Sequence, residues 1–124
     1  MRILKTYARL FVDDLDVALP IYQEIVGTPP DLRVGFEAAE LAAIGDFLLI
    51  AGPPEAVDRY RSTVGPVIVD DLDKLLARLT AAGARITGGP HMGPTGRFAY
   101  LDHPDGANVE YVEWTSSIRA RVLG

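Results

Sequence analysis

A five-residue sequence, Val-Asp-Asp-Leu-Asp, occurs twice and constrains the fold more than any other feature of the chain. One copy is Val12–Asp16 and the other is Val69–Asp73. Each copy follows an apolar run typical of a β-strand and precedes a run with helical periodicity. In both copies an aspartate stands where a helix N-cap accepts backbone N–H bonds. The repetition therefore predicts two copies of one strand–cap–helix unit.

The residues after each copy extend the same pattern. The first half predicts one strand, one helix and three further strands, which are Ile3–Val12, Leu15–Val26, Leu32–Phe36, Leu41–Ile44 and Phe47–Ala51. The second half predicts the same order, which is Val67–Val69, Leu72–Ala82, Ala84–Thr87, Arg97–Asp102 and Asn108–Trp114. Pro20 lies well inside the first helix, so we expect it to kink that helix or break it early. The fold class is therefore α+β, with a strand-helix-strand-strand-strand pattern that occurs twice.

Three segments fall outside this pattern. Gly52–Pro54 breaks the chain, and Glu55–Arg61 has room for one or two helical turns. Gly88–Gly96 is rich in glycine and proline and predicts a long loop, which is either a lid over a pocket or an ordinary connection. Residues 116–124 predict a loosely held tail.

Length and composition limit the class of protein. A chain of 124 residues suits one domain, with module one at about 3–52, a linker at about 53–62 and module two at about 63–115. The net charge of −5 argues against nucleic acid and acidic membranes as partners. The chain has no cysteine, which excludes disulfides, thiolate metal sites and cysteine nucleophiles. No apolar run has membrane-spanning length, so we expect a cytoplasmic protein.

Several short motifs together resemble a known superfamily. They are the strand end Phe11–Leu15, Tyr22, Gly27, the second repeat at Val69-Asp70, and the block His103–Glu110. In order and spacing the chain resembles the vicinal oxygen chelate superfamily, also called the glyoxalase/bleomycin-resistance/dioxygenase family. The resemblance covers about residues 3–114. It implies two βαβββ modules that form a curved mixed sheet, and it implies a homodimer.

Metal-dependent members of this family hold a divalent ion with histidines and carboxylates. The resemblance places the four ligand positions at Tyr7, within Phe47–Ala51, at Val64 and at Glu110. Only Glu110 is a strong ligand there, and His91 and His103 fall at none of these positions. The binding of one carboxylate does not offset the free energy that a divalent ion loses when it leaves water. The sequence therefore predicts no metal and no other cofactor.

The remaining candidates are ligand-binding residues. Alternation along the last strand puts Asn108, Glu110, Val112 and Trp114 on one face, which we expect to be concave. Glu110 either binds a cationic ligand or acts as a base, or it is hydrogen-bonded to Tyr7 or Arg9; Trp114 either stacks on a ligand or seals a dimer contact. The predicted ligand-binding residues are Tyr7, Arg9, Leu49, Val64, His91, Phe98, Tyr100, Glu110 and Trp114.

Three functions remain open from the sequence. The preferred one is a metal-free protein that binds a cationic or aromatic small molecule, as the bleomycin-resistance branch binds a cationic drug. The second is a lyase, isomerase or dioxygenase that keeps a divalent metal through a non-standard set such as His91 with Glu110. The third is an interaction domain without a pocket.

Overall fold

Nine β-strands and four α-helices make up the structure, which is a computed structural model that describes all 124 residues. In chain order the elements are β1 (Ile3–Thr6), β2 (Ala8–Phe11), α1 (Leu15–Val26), β3 (Leu32–Phe36), β4 (Ala39–Ile44), β5 (Phe47–Ala51), α2 (Pro54–Val57), a 3₁₀ turn (Asp58–Tyr60), β6 (Thr63–Val69), α3 (Leu72–Ala81), β7 (Arg85–Met92), β8 (Gly96–Asp102), β9 (Asn108–Trp114) and α4 (Ser116–Leu123). They divide into a first unit, residues 7–62, and a second unit, residues 1–6 with 63–124. The α+β fold class predicted from the sequence is confirmed.

The first unit is a four-stranded mixed sheet packed against α1. Its strand order is β2-β5-β4-β3, with β2 parallel to β5 and the other pairs antiparallel. The apolar positions of α1 recur at helical spacing, so Leu15 and Leu19 face the sheet and pack with Ala42, Ile44 and Leu49. These buried side chains form the core of the first unit.

The second unit repeats this arrangement and adds one strand. Its order is β1-β6-β9-β8-β7, with β6 parallel to β9 and the other pairs antiparallel. Its core lies between α3 and one face of the sheet, where Leu72, Leu75 and Leu76 pack against Val109 and Tyr111. Four strands of this sheet match the four of the first unit in order and direction, as the sequence repeat predicted.

The repeated aspartates cap the two helices as predicted. The Asp14 carboxylate accepts hydrogen bonds from the backbone N–H groups of Asp16 and Val17, at 2.8 and 3.3 Å. The Asp71 carboxylate accepts one from Lys74 at 3.0 Å. The second helix has an additional cap, because Glu113 on β9 accepts from the backbone N–H of Leu72 at 2.8 Å. This contact ties the start of α3 to the sheet beneath it.

The first predicted strand is divided in the structure. Residues 3–6 pair with β6 in the second unit, whereas residues 8–11 pair with β5 in the first unit. Tyr7 lies at the break between the two strands. The early break expected at Pro20 is wrong, since α1 continues to Val26. One missing helical hydrogen bond is offset by the packing of Leu19, Tyr22 and Val26 on the sheet.

The long loop predicted at residues 88–96 is wrong in most of its length. Strand β7 runs to Met92 and pairs with β8, with register shifts around Gly88 and the residues after it. Because β7 is an edge strand, bulges accommodate Gly89 and Pro90, and the missing N–H of the proline interrupts no inner ladder. Only residues 93–95 remain as a connection, so there is no long loop to form the lid.

The expected loose tail is the helix α4. The Thr115 hydroxyl accepts from the backbone N–H of Ile118 at 3.3 Å, which caps its start. No helix in the chain combines the length and apolar character needed to cross a membrane.

Candidate functional site

The sheet of the second unit has one face turned away from α3, which we call the distal face. Val109 and Tyr111 pack in the core with α3, so the alternating residues of β9 point to the opposite side. The pairing of neighbouring strands then identifies which residues of β6, β7 and β8 point to the same side as these β9 residues. The distal face carries Thr63, His91, Phe98, Tyr100, Asn108, Glu110, Val112 and Trp114.

Three rings form a continuous cluster across β7 and β8 on this face. The Phe98 and Tyr100 rings meet edge to face, with centroids 5.7 Å apart. His91 lies directly opposite Phe98, and their ring centroids are 6.0 Å apart. Phe98 and Tyr100 are half-buried, and His91 is exposed at the edge of the sheet. The cluster therefore offers an aromatic surface whose solvent exposure increases from Tyr100 and Phe98 to His91 at the sheet edge.

Glu110 places a carboxylate in the middle of the distal face. It lies directly opposite Tyr100 in the β8–β9 ladder and is half-buried. Directly paired residues in an antiparallel ladder have side chains close enough to interact. This register places one negative charge beside the aromatic cluster.

Trp114 ends the distal face at the far end of β9. It is buried and lies opposite Gly96. A Cβ on Gly96 would lie 2.1 Å from the carbonyl oxygen of Glu113 and 2.9 Å from the Cα of Trp114. Only glycine fits there, and this close backbone approach fixes the position of the tryptophan.

A polar network occupies the opposite end of the same face, and the sequence reasoning did not select it. The Thr63 hydroxyl donates to the Asn108 side-chain oxygen at 2.7 Å, and the Asn108 amide donates to Asp102 at 2.9 Å. Arg85 pairs with Asp102 at 2.9 Å, and its hydrogen bond, followed by that of Asn108, lowers the pKa of this carboxyl. The sequence contained one indication of this network: alternate side chains along the last strand placed Asn108 on the same face as Glu110.

Val64 does not lie on the distal face, which corrects its assignment from the sequence. It pairs with Val109, whose side chain faces α3, and it is 55% exposed. The neighbouring Thr63 takes the distal position instead. Val64 was assigned by its match to a ligand position of the family, and the strand pairing shows that this match is one residue out of phase with the distal face.

The first unit contains the other three predicted residues. Leu49 is fully buried in the core beneath α1, so it is a core residue and not part of a ligand-binding surface. Arg9 alternates with Leu10, which packs toward α1, and therefore points to the other face. Its guanidinium donates to the carbonyl oxygen of Tyr60 at 3.5 Å.

Tyr7 is buried and remains a neutral phenol at physiological pH. Burial is the main cause that raises its pKa, and the nearby carboxylates of Asp31 and Asp46 raise it further. A phenol must lose its proton to become a strong metal ligand. This position therefore supplies no anionic oxygen.

The donor set for a divalent ion does not fit the family's metal-dependent pattern. No group of three or more histidine, aspartate or glutamate side chains is placed to hold an ion. Tyr7 is protonated, Phe47–Ala51 has no ligand side chain, and Val64 faces α3. His103 instead hydrogen-bonds the buried Tyr111 hydroxyl at 2.9 Å on the α3 side of the sheet. Only Glu110 remains of the expected ligands.

A groove of the second unit lies elsewhere. It has a volume of about 430 Å³ and is lined by Met1 and by the outer face of α3, at Lys74, Ala77, Arg78 and Ala81. None of the residues predicted from the sequence lines it. The distal face therefore carries five of the nine predicted residues together: His91, Phe98, Tyr100, Glu110 and Trp114.

Comparisons with known proteins agree with this architecture. The chain is 29% identical to a lactoylglutathione lyase of Haemophilus influenzae, over 91% of this chain and 93% of that protein. Among solved structures, a hypothetical protein from Methanosarcina mazei is 43% identical, with a TM-score of 0.84 over 93% of this chain and 95% of that one. Methylmalonyl-CoA epimerase from Mycobacterium tuberculosis has a TM-score of 0.73 at 20% identity, covering 95% and 93% of the two chains. At that identity the likeness shows the shared fold.

A family model decides the assignment. The model of the Glyoxalase/Bleomycin resistance protein/Dioxygenase superfamily matches residues 4–111, most of the chain. This agrees with the repeated module, the two equivalent sheets and the motifs that suggested the resemblance. The chain belongs to the glyoxalase/bleomycin resistance protein/dioxygenase superfamily.

Proposed function

We propose that the chain is a metal-independent protein that binds a small cationic, aromatic molecule on the distal face of the second unit. One observation carries the proposal. Glu110 lies in register opposite Tyr100, beside the ring cluster of Phe98 and His91. Membership of the superfamily, which includes small-molecule binding proteins, supports the same function.

The chemistry of this surface favours a cation over an anion. Aromatic rings attract positive charge through their faces, by about 0.5–2 kcal/mol per contact. A carboxylate beside them adds a charge-assisted partner, which is stronger where water is partly excluded. Phe98, Tyr100 and Glu110 are all half-buried, so they combine access with reduced solvation. A planar cation can satisfy the rings and the carboxylate at once.

The small number of metal-ligating side chains supports a function that does not depend on a metal. A divalent ion needs several anionic or imidazole ligands, and Glu110 is the one family ligand that this chain retains. A cationic ligand needs only that one carboxylate. We therefore propose sequestration of a toxic or antibiotic-like compound, by a cytoplasmic homodimer.

A second candidate is a lyase or isomerase. The observation in its favour is the 29% identity to a lactoylglutathione lyase across nearly the whole of both chains. It would require a metal held by a non-standard set such as His91 with Glu110, and these two donors are fewer than such ions ordinarily take. Stoichiometric bound metal would favour this candidate.

The single tryptophan of the chain provides the test, because Trp114 lies on the proposed surface. Its fluorescence is titrated with N-methylquinolinium and with the neutral quinoline in the presence of EDTA. We expect the cation to bind more tightly, and Glu110→Gln to remove about tenfold of that affinity, which corresponds to about 1.4 kcal/mol. Glu55→Gln, at an exposed position in α2, is the matched control and should not change it.

Two results would count against the proposal. One is equal affinity of the wild-type protein for the cation and the neutral compound. The other is a preference for the cation that survives in Glu110→Gln. Unchanged binding in both variants would place the ligand away from the distal face.

A further inference from the structure

The outer face of α1 carries an exposed apolar stripe. Val17, Ile21 and Ile25 are 73%, 64% and 65% exposed, respectively. They recur every four residues, so they form one row along the helix, about 12 Å long. The opposite side of α1 holds Leu15 and Leu19 in the core. Single exposed apolar residues are common, but a row of three β-branched side chains is a candidate contact surface.

Charge limits what can cover this stripe. Helix α1 contains Asp16 and Glu24 and no lysine, arginine or histidine; Asp16 is ion-paired with Arg33 of β3 at 2.8 Å, whereas no such ion pair is made by Glu24. Asp14 caps its start, and Asp13 precedes the cap. Two copies of α1 packed together would therefore bring like charges close, which is unfavourable. The stripe is better matched by an apolar surface with basic edges.

Helix α4 has that surface. It contains Arg119 and Arg121 and no acidic residue. Ile118 and Val122 are half-buried on its inner side, so helical spacing puts Ser116, Ala120 and Leu123 outward. The outward row is about 10 Å long, and the two arginines flank it on either side.

We propose that the outer face of α1 docks against the outer face of α4 from a second copy of this chain. The branched side chains of Val17, Ile21 and Ile25 form a ridge, and the small side chains of Ser116 and Ala120 leave a groove to receive it. The arginines of α4 then meet the acidic α1. The two rows are of similar length, so they can pair along their whole extent.

The size of the contact sets its strength. Two helical turns bury far less than the roughly 800 Å² per partner of a standard interface. Association through this contact alone is therefore weak, with a dissociation constant on the order of 10 µM or above, and it is additional to the homodimer proposed above. Complementary charge makes the association sensitive to salt, because the charged edges are exposed.

Sedimentation velocity over a concentration series tests the proposal on the full chain. Ile21→Lys and Arg119→Glu should each raise the dissociation constant at least about tenfold. Adding Glu24→Arg to Arg119→Glu should recover part of the loss, since it restores an opposite-charge pair. Met92→Lys is the matched control, because Met92 is 70% exposed on β7 and outside both helices. Circular dichroism confirms that each variant is folded.

Each outcome decides the matter. Association that falls in Ile21→Lys and Arg119→Glu, persists in Met92→Lys and returns in the double variant supports the contact. A wild-type chain whose sedimentation coefficient does not rise across the concentration series overturns it. A dissociation constant that is unchanged in Arg119→Glu also overturns the proposal, because α1 would then pack on a surface other than α4.

Discussion

The carboxylate of Glu113 should stabilise the second unit more than its half-exposed position suggests. It lies on β9 and accepts a hydrogen bond from the backbone N–H of Leu72, the first residue of α3, at 2.8 Å. Leu72 itself is fully buried. The perturbation is Glu113→Ala, which removes the acceptor and leaves this N–H without it.

Three terms set the expected loss. A hydrogen bond to a charged acceptor contributes about 1.5–3 kcal/mol, and partial exposure places this one near the lower value. The negative charge at the helix N-terminus contributes about 0.3–1 kcal/mol and is part of the same contact. Glu113 also lies directly opposite Arg97 in the sheet; the Arg97 guanidinium is ion-paired with Asp73, so its longer-range attraction to Glu113 adds at most about 0.5 kcal/mol. The total is about 2 kcal/mol.

Urea denaturation followed by circular dichroism measures this difference. Glu113→Ala should lower the free energy of unfolding by about 2 kcal/mol, which for a chain of this size is a fall in Tm of roughly 6–10 °C. Glu113→Gln keeps a neutral acceptor and should lose about half as much. Asp71→Ala, which removes only the local cap, should cost about 1 kcal/mol. A loss below about 0.5 kcal/mol in Glu113→Ala would mean that the sheet does not cap this helix.

Three further predictions concern burial and backbone geometry. Because burial raises the pKa of Tyr7 and Tyr111, the stability contributed by the two neutral phenols should be fully present below about pH 10 and should fall by about 1.4 kcal/mol per pH unit for each phenol until the pH reaches its raised pKa. Tyr7→Phe should reduce that slope in alkaline urea titrations. Gly96→Ala should cost about 3 kcal/mol through its backbone clash, whereas Gly106→Ala, which meets no atom within 4 Å, should cost about 1 kcal/mol from its positive φ alone, as urea denaturation will show. Leu49→Ala should lower stability by about 2–5 kcal/mol and leave ligand affinity unchanged in fluorescence titration, since its side chain lies in the core.

The helices were the most predictable part of the fold. The boundaries of α1 were correct because Asp14 caps its start, Leu15 and Leu19 set its period, and Gly27 adopts the left-handed conformation that ends it. The repeat then predicted α3 to within one residue. These signals are local, so one sequence is enough to show them.

Strand phase was harder to predict. Residues Phe47–Ala51 are all apolar, so no alternation distinguishes the side of Leu49 from that of its neighbours. Between Val64 and Val67 the strand phase changes at a bulge that depends on the partner strand. Glycines and prolines at 88–90 favour a loop and a bulged edge strand equally, and only pairing with β8 decides between them.

The candidate site was predictable only where it depends on residues that are close together in the sequence. Successive side chains of a strand point to opposite faces, so counting along β9 assigned Glu110 and Trp114 to one face correctly. The network of Thr63 with Asn108 joins residues far apart in the chain, and only the parallel pairing of β6 with β9 brings them together. Contacts of that kind leave no mark in the local sequence.

The metal content of the purified protein, followed by melting curves after the metal has been stripped, distinguishes metal-independent binding from metal-dependent catalysis. Nickel, zinc, manganese, iron and magnesium are each added over a concentration series, because an ion that binds only the folded state raises Tm with concentration. Metal-independent binding predicts substoichiometric metal and no shift with any of the five ions. One metal per chain, lost in Glu110→Ala, would contradict the account and indicate a metal-dependent enzyme.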